Sequence, residues 1–198
     1  MEKRPSFDKV NKTYPLSEID HLLHICTLLP LHPDILEVGT FMGRTTAAMA
    51  DVRPDANIIT LDIYLGKMWD YERIKDEFPY KGYLENIFNH KMWDEQLTKD
   101  YLSHWDNIQA FNCKFPDEWP LPKENKFDLI FEDGNHGSPS TMKSFPKCIE
   151  LLKPGGYLAL HDYGVGGVTK AIEAFVQPHP QMSYHSRYKL LTIWNKDT

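Results

Sequence analysis

The feature that most constrains this chain is an acid-led glycine turn, Glu37-Val-Gly39-Thr-Phe-Met-Gly43, wedged between a short apolar run and a helical one. Asp34-Ile-Leu-Glu-Val-Gly-Thr40 reads as a buried strand, and Arg44 to Asp51 as a helix that stops before Pro54. A strand that passes into a helix through glycines lets a ligand come within contact distance of main-chain atoms. The helix then points its amide end at that ligand. The spacing is Gly-x-x-x-Gly, not the Gly-x-Gly-x-x-Gly that holds a pyrophosphate. Glu37 would repel a diphosphate but suits a ligand carrying a cationic amino or sulfonium group. Asn57-Ile-Ile-Thr-Leu-Asp62 is a second strand, and Asp62 ends it 19 residues beyond Gly43. An acid at that place accepts hydrogen bonds from both ribose hydroxyls of a nucleoside cofactor. The plainer alternatives are a tight turn with an exposed glutamate, and a helix-capping or solvent-facing Asp62.

The rest of the chain repeats the strand-then-helix rhythm. Ser17 opens a helix through an approximate capping box, Ser17-Glu18-Ile19-Asp20, with Ile19, Leu22, Leu23, Ile25 and Cys26 at helical spacing up to Pro30. Asn107–Asn112, Lys126–Asp133 and Tyr157–Asp162 read as further strands. Ser140 to Leu152 is an amphipathic helix ended by Lys153-Pro-Gly-Gly156, and Ser183–Trp194 a final hairpin. Strands alternating with helices imply a doubly wound α/β domain with a parallel sheet covered on both faces. The 198 residues fit one domain, with an arm over 1–16 and an aromatic-rich insertion over 64–105. That insertion predicts two or three short helices broken at Pro79. Its rings either close as a lid over an acceptor or pack as core and dimer surface, so a homo-oligomer is one expectation.

Composition narrows the classes. No run of about 18 apolar residues exists, so no membrane span is expected, and no apolar segment follows the first charges as in a secretory signal. The net charge of −6 disfavours a nucleic-acid partner. Cys26, Cys113 and Cys148 have no C-x-x-C spacing and read as idle thiols of a cytoplasmic protein.

Taken together, Glu37-x-Gly39-x-x-x-Gly43, Asp62, Phe127-Asp-Leu-Ile-Phe-Glu-Asp-Gly-Asn-His136 and Leu152-Lys-Pro-Gly-Gly-Tyr-Leu-Ala-Leu-His-Asp-Tyr163 resemble the class I methyltransferases. Among these the chain is most similar to small O-methyltransferases with a strand-four Asp-Gly-(Asp/Asn)-His signature, over residues 17 to 194. The resemblance implies a Rossmann-like, seven-stranded, mostly parallel sheet with a reversed final strand. It also implies S-adenosylmethionine bound over the carboxyl ends of strands one and two. Glu37, Gly39, Thr40, Phe41 and Gly43 would line the cofactor, with Glu37 and Gly39 by its methionine part, and Asp62 with Ile63 by its ribose. Asp133 would border the same site. The turn Asn112-Cys-Lys-Phe115 lacks the acid that many relatives place near the adenine.

Asp133 and Asp162 end the strands over 126–133 and 157–162, at the edge where open parallel sheets bind ligands. Alternation sets Asp133 opposite Glu132 and Asp162 opposite His161. His136, in the loop Gly134-Asn-His-Gly137, can reach back over the site. Methyl transfer is a displacement on carbon, so the protein mainly aligns a nucleophile and removes its proton. A histidine suits that removal, which casts Asp133, His136 and Asp162 as the catalytic group. Alternatively Asp133 and Asp162 hold a divalent cation, Mg²⁺ or Mn²⁺, that orients a hydroxyl and lowers its pKa. Metal-dependent catechol-type enzymes place acids at these two strand ends, with an asparagine next, where this chain has Tyr163; His136 or His161 could replace it. His161 otherwise reads as structural, His136 as a loop stabiliser, and Asp162 as a cap on the segment beginning Gly164.

The expected activity is methyl transfer from S-adenosylmethionine to a hydroxyl oxygen of a small-molecule acceptor, with nitrogen as the other candidate atom. No Asn/Asp-Pro-Pro-Tyr/Phe loop of the amino-methylating nucleic-acid enzymes is present. A nicotinamide-dependent oxidoreductase would use Asp62 equally but calls for the other glycine spacing. A non-catalytic binding protein is the third alternative.

Overall fold

In a computed structural model the described residues are 16–64 and 94–198. Residues 1–15 of the arm and 65–93 of the insertion, with the helices expected around Pro79, lie outside the described residues. Seven strands form one sheet: β1 Asp34–Val38, β2 Asn57–Asp62, β3 Ile108–Asn112, β4 Phe127–Glu132, β5 Leu152–Leu160, β6 Met182–Tyr188 and β7 Leu191–Lys196, in the order β3-β2-β1-β4-β5-β7-β6. The first five run parallel, and β7 runs antiparallel to both β5 and β6. The mostly parallel sheet with its reversed last strand is the expected one.

Alternation along the strands sorts two cores. Ile35, Ile58, Leu129, Phe131 and Ile193 face α1 (Leu16–Leu28), α2 (Arg44–Val52) and α3 (Glu95–Leu102), where Leu22, Ile25, Met49, Leu102 and Trp105 complete the cluster. Leu36, Val38, Ile59, Ile130 and Leu158 face α4 (Ser138–Leu151) and α5 (Gly166–Ala171, continued as a π-turn over Ile172–Val176), which supply Phe145, Cys148, Ile149, Val168 and Ile172. The three cysteines are buried and unbridged.

Arg53, at the end of α2, knits α1 to this frame. Its guanidinium donates to the carbonyls of Cys26 at 2.8 Å, Leu29 at 3.2 Å and Pro30, at and just beyond the end of α1.

The order places β1 beside β4, with β2 and β3 on one side and β5 on the other. The order of connection reverses there, and at such a point open α/β sheets have their binding crevice beyond the carboxyl ends of the strands. The elements expected at Ser140–Leu152 and Tyr157–Asp162 are shifted: α4 begins at Ser138 with Pro139 in its first turn, and β5 takes in Leu152 to Gly156. Proline is at ease in a first helical turn, where its missing N–H has no partner to lose.

Candidate active site

The glycine turn leaves β1 and crosses over β2. The Gly39 N–H donates to Leu61 O at 2.8 Å, and Gly43 N–H to Thr40 O at 2.7 Å. Gly39 has φ +100°, and a Cβ there would lie 2.2 Å from the Asp133 carbonyl oxygen, so only glycine lets the turn close against β4. Gly43, also left-handed, caps α2 without a side chain of its own, and a Cβ there would strike Leu102. Phe41 too has positive φ, 49°; its carbonyl accepts from Thr98 Oγ1 of α3 at 2.9 Å and its N–H donates to Asp62 Oδ2 at 2.7 Å. Asp62 is buried, and its other oxygen takes the Tyr64 N–H at 3.1 Å. A carboxylate oxygen has two lone pairs and can accept a second hydrogen bond. Ile63 follows, half-buried.

Glu37 is placed differently from a solvent-facing turn acid. It is 1 % exposed, and one carboxyl oxygen accepts from Thr46 of α2 and from Thr60 of β2 at 2.6 Å, with Thr40 joined to Thr60 at 2.6 Å. Burial pushes its pKa up to about 8 despite those two hydroxyls. The residue therefore fastens α2 to the sheet. At the end of β3, Asn112 Nδ2 donates to Glu95 Oε2 of α3 at 2.8 Å, and Lys99 pairs with the same carboxylate.

The strand-end acids meet. His136 Nε2 lies 2.8 Å from Asp162 Oδ2 and 3.8 Å from Asp133 Oδ1, and ligand atoms of Asp133, His136 and Asp162 all fall within 4.8 Å of one another. The Asp133 N–H donates to Val38 O at 2.8 Å, so this cluster begins where the glycine turn does. His161 joins it, its Nδ1 3.2 Å from Asp133 Oδ1 and 3.3 Å from Asp162 Oδ2. Alternation set His161 and Asp162 on opposite faces; the structure corrects this. β5 ends at Leu160, and Asp162 adopts φ +58°, which turns its side chain back toward His161. The rule holds on β4, where Glu132 points the other way, buried and bonded by Ser144 Oγ at 3.1 Å.

Burial works against the charged form of both imidazoles, but the two carboxylates outweigh it and raise His136 and His161 well above the usual histidine value. Burial likewise disfavours charge on Asp162, yet the imidazoles hold it below the usual carboxylate range. The carboxylates and imidazoles thus favour one another's charged forms.

Glu18, whose carboxylate faces His161 Nε2 at 3.9 Å, was not legible as a site residue; His161 was, but only as a possible metal ligand beside a strand-end acid.

Comparison with known proteins agrees with this architecture. A family model described as a methyltransferase domain matches residues 36–163. The chain is 29% identical over 143 residues to a tRNA (guanine-N(7)-)-methyltransferase of Nitrosomonas eutropha, covering 67% of this chain and 54% of that protein. A counterpart from Nitrosomonas europaea is 25% identical over 174 residues, 81% of this chain and 67% of that protein. The chain thus spans between about half and two thirds of the length of these relatives. The O-methyltransferase NovP superposes with TM-score 0.68 at 12% identity over 92% of this chain and 81% of that one. TomG from Streptomyces achromogenes, solved with S-adenosylmethionine, gives 0.65 at 16% over 97% and 85%.

The exclusion of nucleic acid drawn from the charge of −6 does not stand, because relatives of this chain are named as tRNA enzymes. Net charge averages over the whole surface and says nothing of one local face. Among the described residues, no helix is long and apolar enough to cross a membrane. With the glycine turn, the switch-point crevice and the matched family model in hand, the chain belongs to the methyltransferase domain family.

Proposed function

We propose that this protein transfers the methyl group of S-adenosylmethionine to a hydroxyl oxygen of its acceptor. The cofactor half is the turn Gly39–Gly43 with Asp62. Its fit rests on backbone: left-handed glycines that admit close approach, an α2 N-terminus with no side-chain cap for the cofactor's carboxylate, and a buried acid for the ribose. Glu37 supports the methionine end from beneath α2, and Glu95 brings an acid to the adenine side.

The observation that carries the hydroxyl reading is the convergence of Asp133, His136 and Asp162 beside that turn. A hydroxyl must lose a proton as it attacks, and a positioned base accelerates that loss. The donor set of two carboxylates and one imidazole also fits a divalent cation such as Mg²⁺ or Mn²⁺, which supplies Lewis acidity toward an acceptor oxygen when bound. Held by Asp133, His136 Nε2 and Asp162, such a cation would lower the pKa of the acceptor hydroxyl, with His136 then serving as a ligand and not as the base.

A second reading, methylation of an RNA base nitrogen, is favoured by the named tRNA relatives. Guanine N7 carries no proton, so such a reaction has no use for a base. Formation of S-adenosylhomocysteine is to be followed with hydroxylated small molecules and with a tRNA transcript, with and without Mn²⁺. Turnover of a hydroxyl acceptor that Asp162→Ala abolishes supports the first reading. Turnover of tRNA alone, indifferent to Asp162→Ala, overturns it in favour of the second, and absence of cofactor binding rejects both.

A further inference from the structure

Glu18 lies on α1, a long way in sequence from the strand-end acids, and is only 4 % exposed. Its Oε1 accepts the Leu190 N–H at 3.0 Å, which ties α1 to the turn between β6 and β7. Its Oε2 faces His161 Nε2 at 3.9 Å. The opposite nitrogen of the same ring stands between Asp133 and Asp162, 3.2 and 3.3 Å from their oxygens. The main-chain N–H of His161 donates to Glu132 O at 3.1 Å, and Phe131 meets the ring edge-on at 6.4 Å between centroids. Glu18, His161, Phe131 and Thr45 also border one small cavity, so nothing bulky separates the acid from the ring.

We infer that Glu18 and His161 are positioning residues: through His161, the buried acid of α1 sets the orientation of both strand-end carboxylates. The inference rests on the reading of Asp133 and Asp162 as the reacting-end acids. Two like-charged carboxylates aimed at one point repel each other, and left alone they would turn apart. An imidazole wedged between them with a donor toward both removes the freedom of each. A ring can do this only if its own tilt is fixed, and a carboxylate facing its far nitrogen fixes it. The order Glu18, His161, Asp133 with Asp162, then His136 alternates acid and imidazole from the helix to the mouth of the crevice. No cofactor or acceptor contact is asked of Glu18 itself.

The test uses Glu18→Gln, His161→Asn and the double variant. Glutamine keeps an amide oxygen for the Leu190 N–H, so the tie between α1 and the hairpin survives while the charge facing His161 is lost. NMR of protein labelled at histidine nitrogens and aspartate carboxyl carbons reads the relay without acceptor or metal. In the wild type an exchange-protected His161 ring N–H is expected, assigned by its loss in His161→Asn. In Glu18→Gln that signal shifts or vanishes and the Asp133 and Asp162 carboxyl signals move. The double variant matches His161→Asn alone, because Glu18 acts through the ring. On any acceptor turned over, kcat falls roughly 10- to 100-fold in His161→Asn, the range for loss of a supporting partner, with KM for S-adenosylmethionine unchanged. Ring and carboxyl signals that stay put in Glu18→Gln, or effects that simply add, overturn the inference. Failure of the underlying reading shows separately, as an Asp162→Ala variant that turns over normally while the relay signals behave as expected.

Discussion

The two halves of the crevice are built in opposite ways. Around the glycine turn the contacts run through the backbone: amides of Phe41 and Tyr64 on Asp62, and the Gly39 amide on Leu61 O. At the other half four side chains, Asp133, His136, His161 and Asp162, meet from the ends of β4 and β5 and the loop between β4 and α4. A half made of backbone depends on where Cβ atoms are missing. A half made of side chains depends on charge, and on whatever holds those charges together.

The sharpest way to break that contrast is Asp162→Ala. Methyl transfer should fall roughly 10²- to 10⁴-fold, the usual worth of positioned proton transfer, while calorimetry with S-adenosylhomocysteine shows nearly unchanged affinity. An equal loss of both would mean the halves are not separable. Next come two glycines. Gly39→Ala forces a side chain into φ +100° and against the Asp133 carbonyl. The conformational strain alone is of the order of 1–3 kcal/mol. Lost cofactor affinity and a lowered melting temperature should follow. Gly167→Ala is its counterpart: a Cβ there lies 2.1 Å from the His136 carbonyl, so turnover should drop with cofactor affinity retained.

A smaller effect is expected from Asp62→Asn. Loss of a charge-assisted acceptor is worth about 1.5–3 kcal/mol, read as weaker S-adenosylhomocysteine binding without a change in acceptor KM. The last concerns stability and not turnover, at Glu37. Its pKa, near 4.5 in the unfolded chain, rises to about 8 on folding, so the folded state holds a proton that the unfolded state releases between those values. Its contribution to stability is complete below about pH 4.5 and is lost as pH rises toward 8, at no more than about 1.4 kcal/mol per pH unit. Melting temperature measured from pH 5 to 9 should fall less steeply in Glu37→Gln; identical slopes would show the carboxyl to be ionised throughout.

The turn half was the more legible. Gly39, Gly43 and Asp62 announce themselves by spacing, because a turn is a local object whose φ angles demand particular residues. Even there, Glu37 went into the sheet, where two threonines from different elements receive it, and Glu95 arrived at β3 from a helix no spacing rule connects to it. In the other half Asp133 and Asp162 were visible as strand ends, but the period-two rule misplaced His161 relative to Asp162. That rule applies within a strand, and β5 stops before either residue. Glu18 gave only a capping signal at the start of a helix.

Local chemistry along the chain determined the strand-and-helix order, the acid-led glycine turn and the acids closing β2, β4 and β5, since these depend on neighbours a few residues apart. Only the tertiary structure decided which of those acids stand together, that a left-handed Asp162 turns back onto His161, and that a helix near the chain's start leans a buried carboxylate on the same ring. The reason is physical: burial and charge pairing are properties of points in space, and residues as distant as 18 and 161 become neighbours only when the sheet and its two layers of helices close.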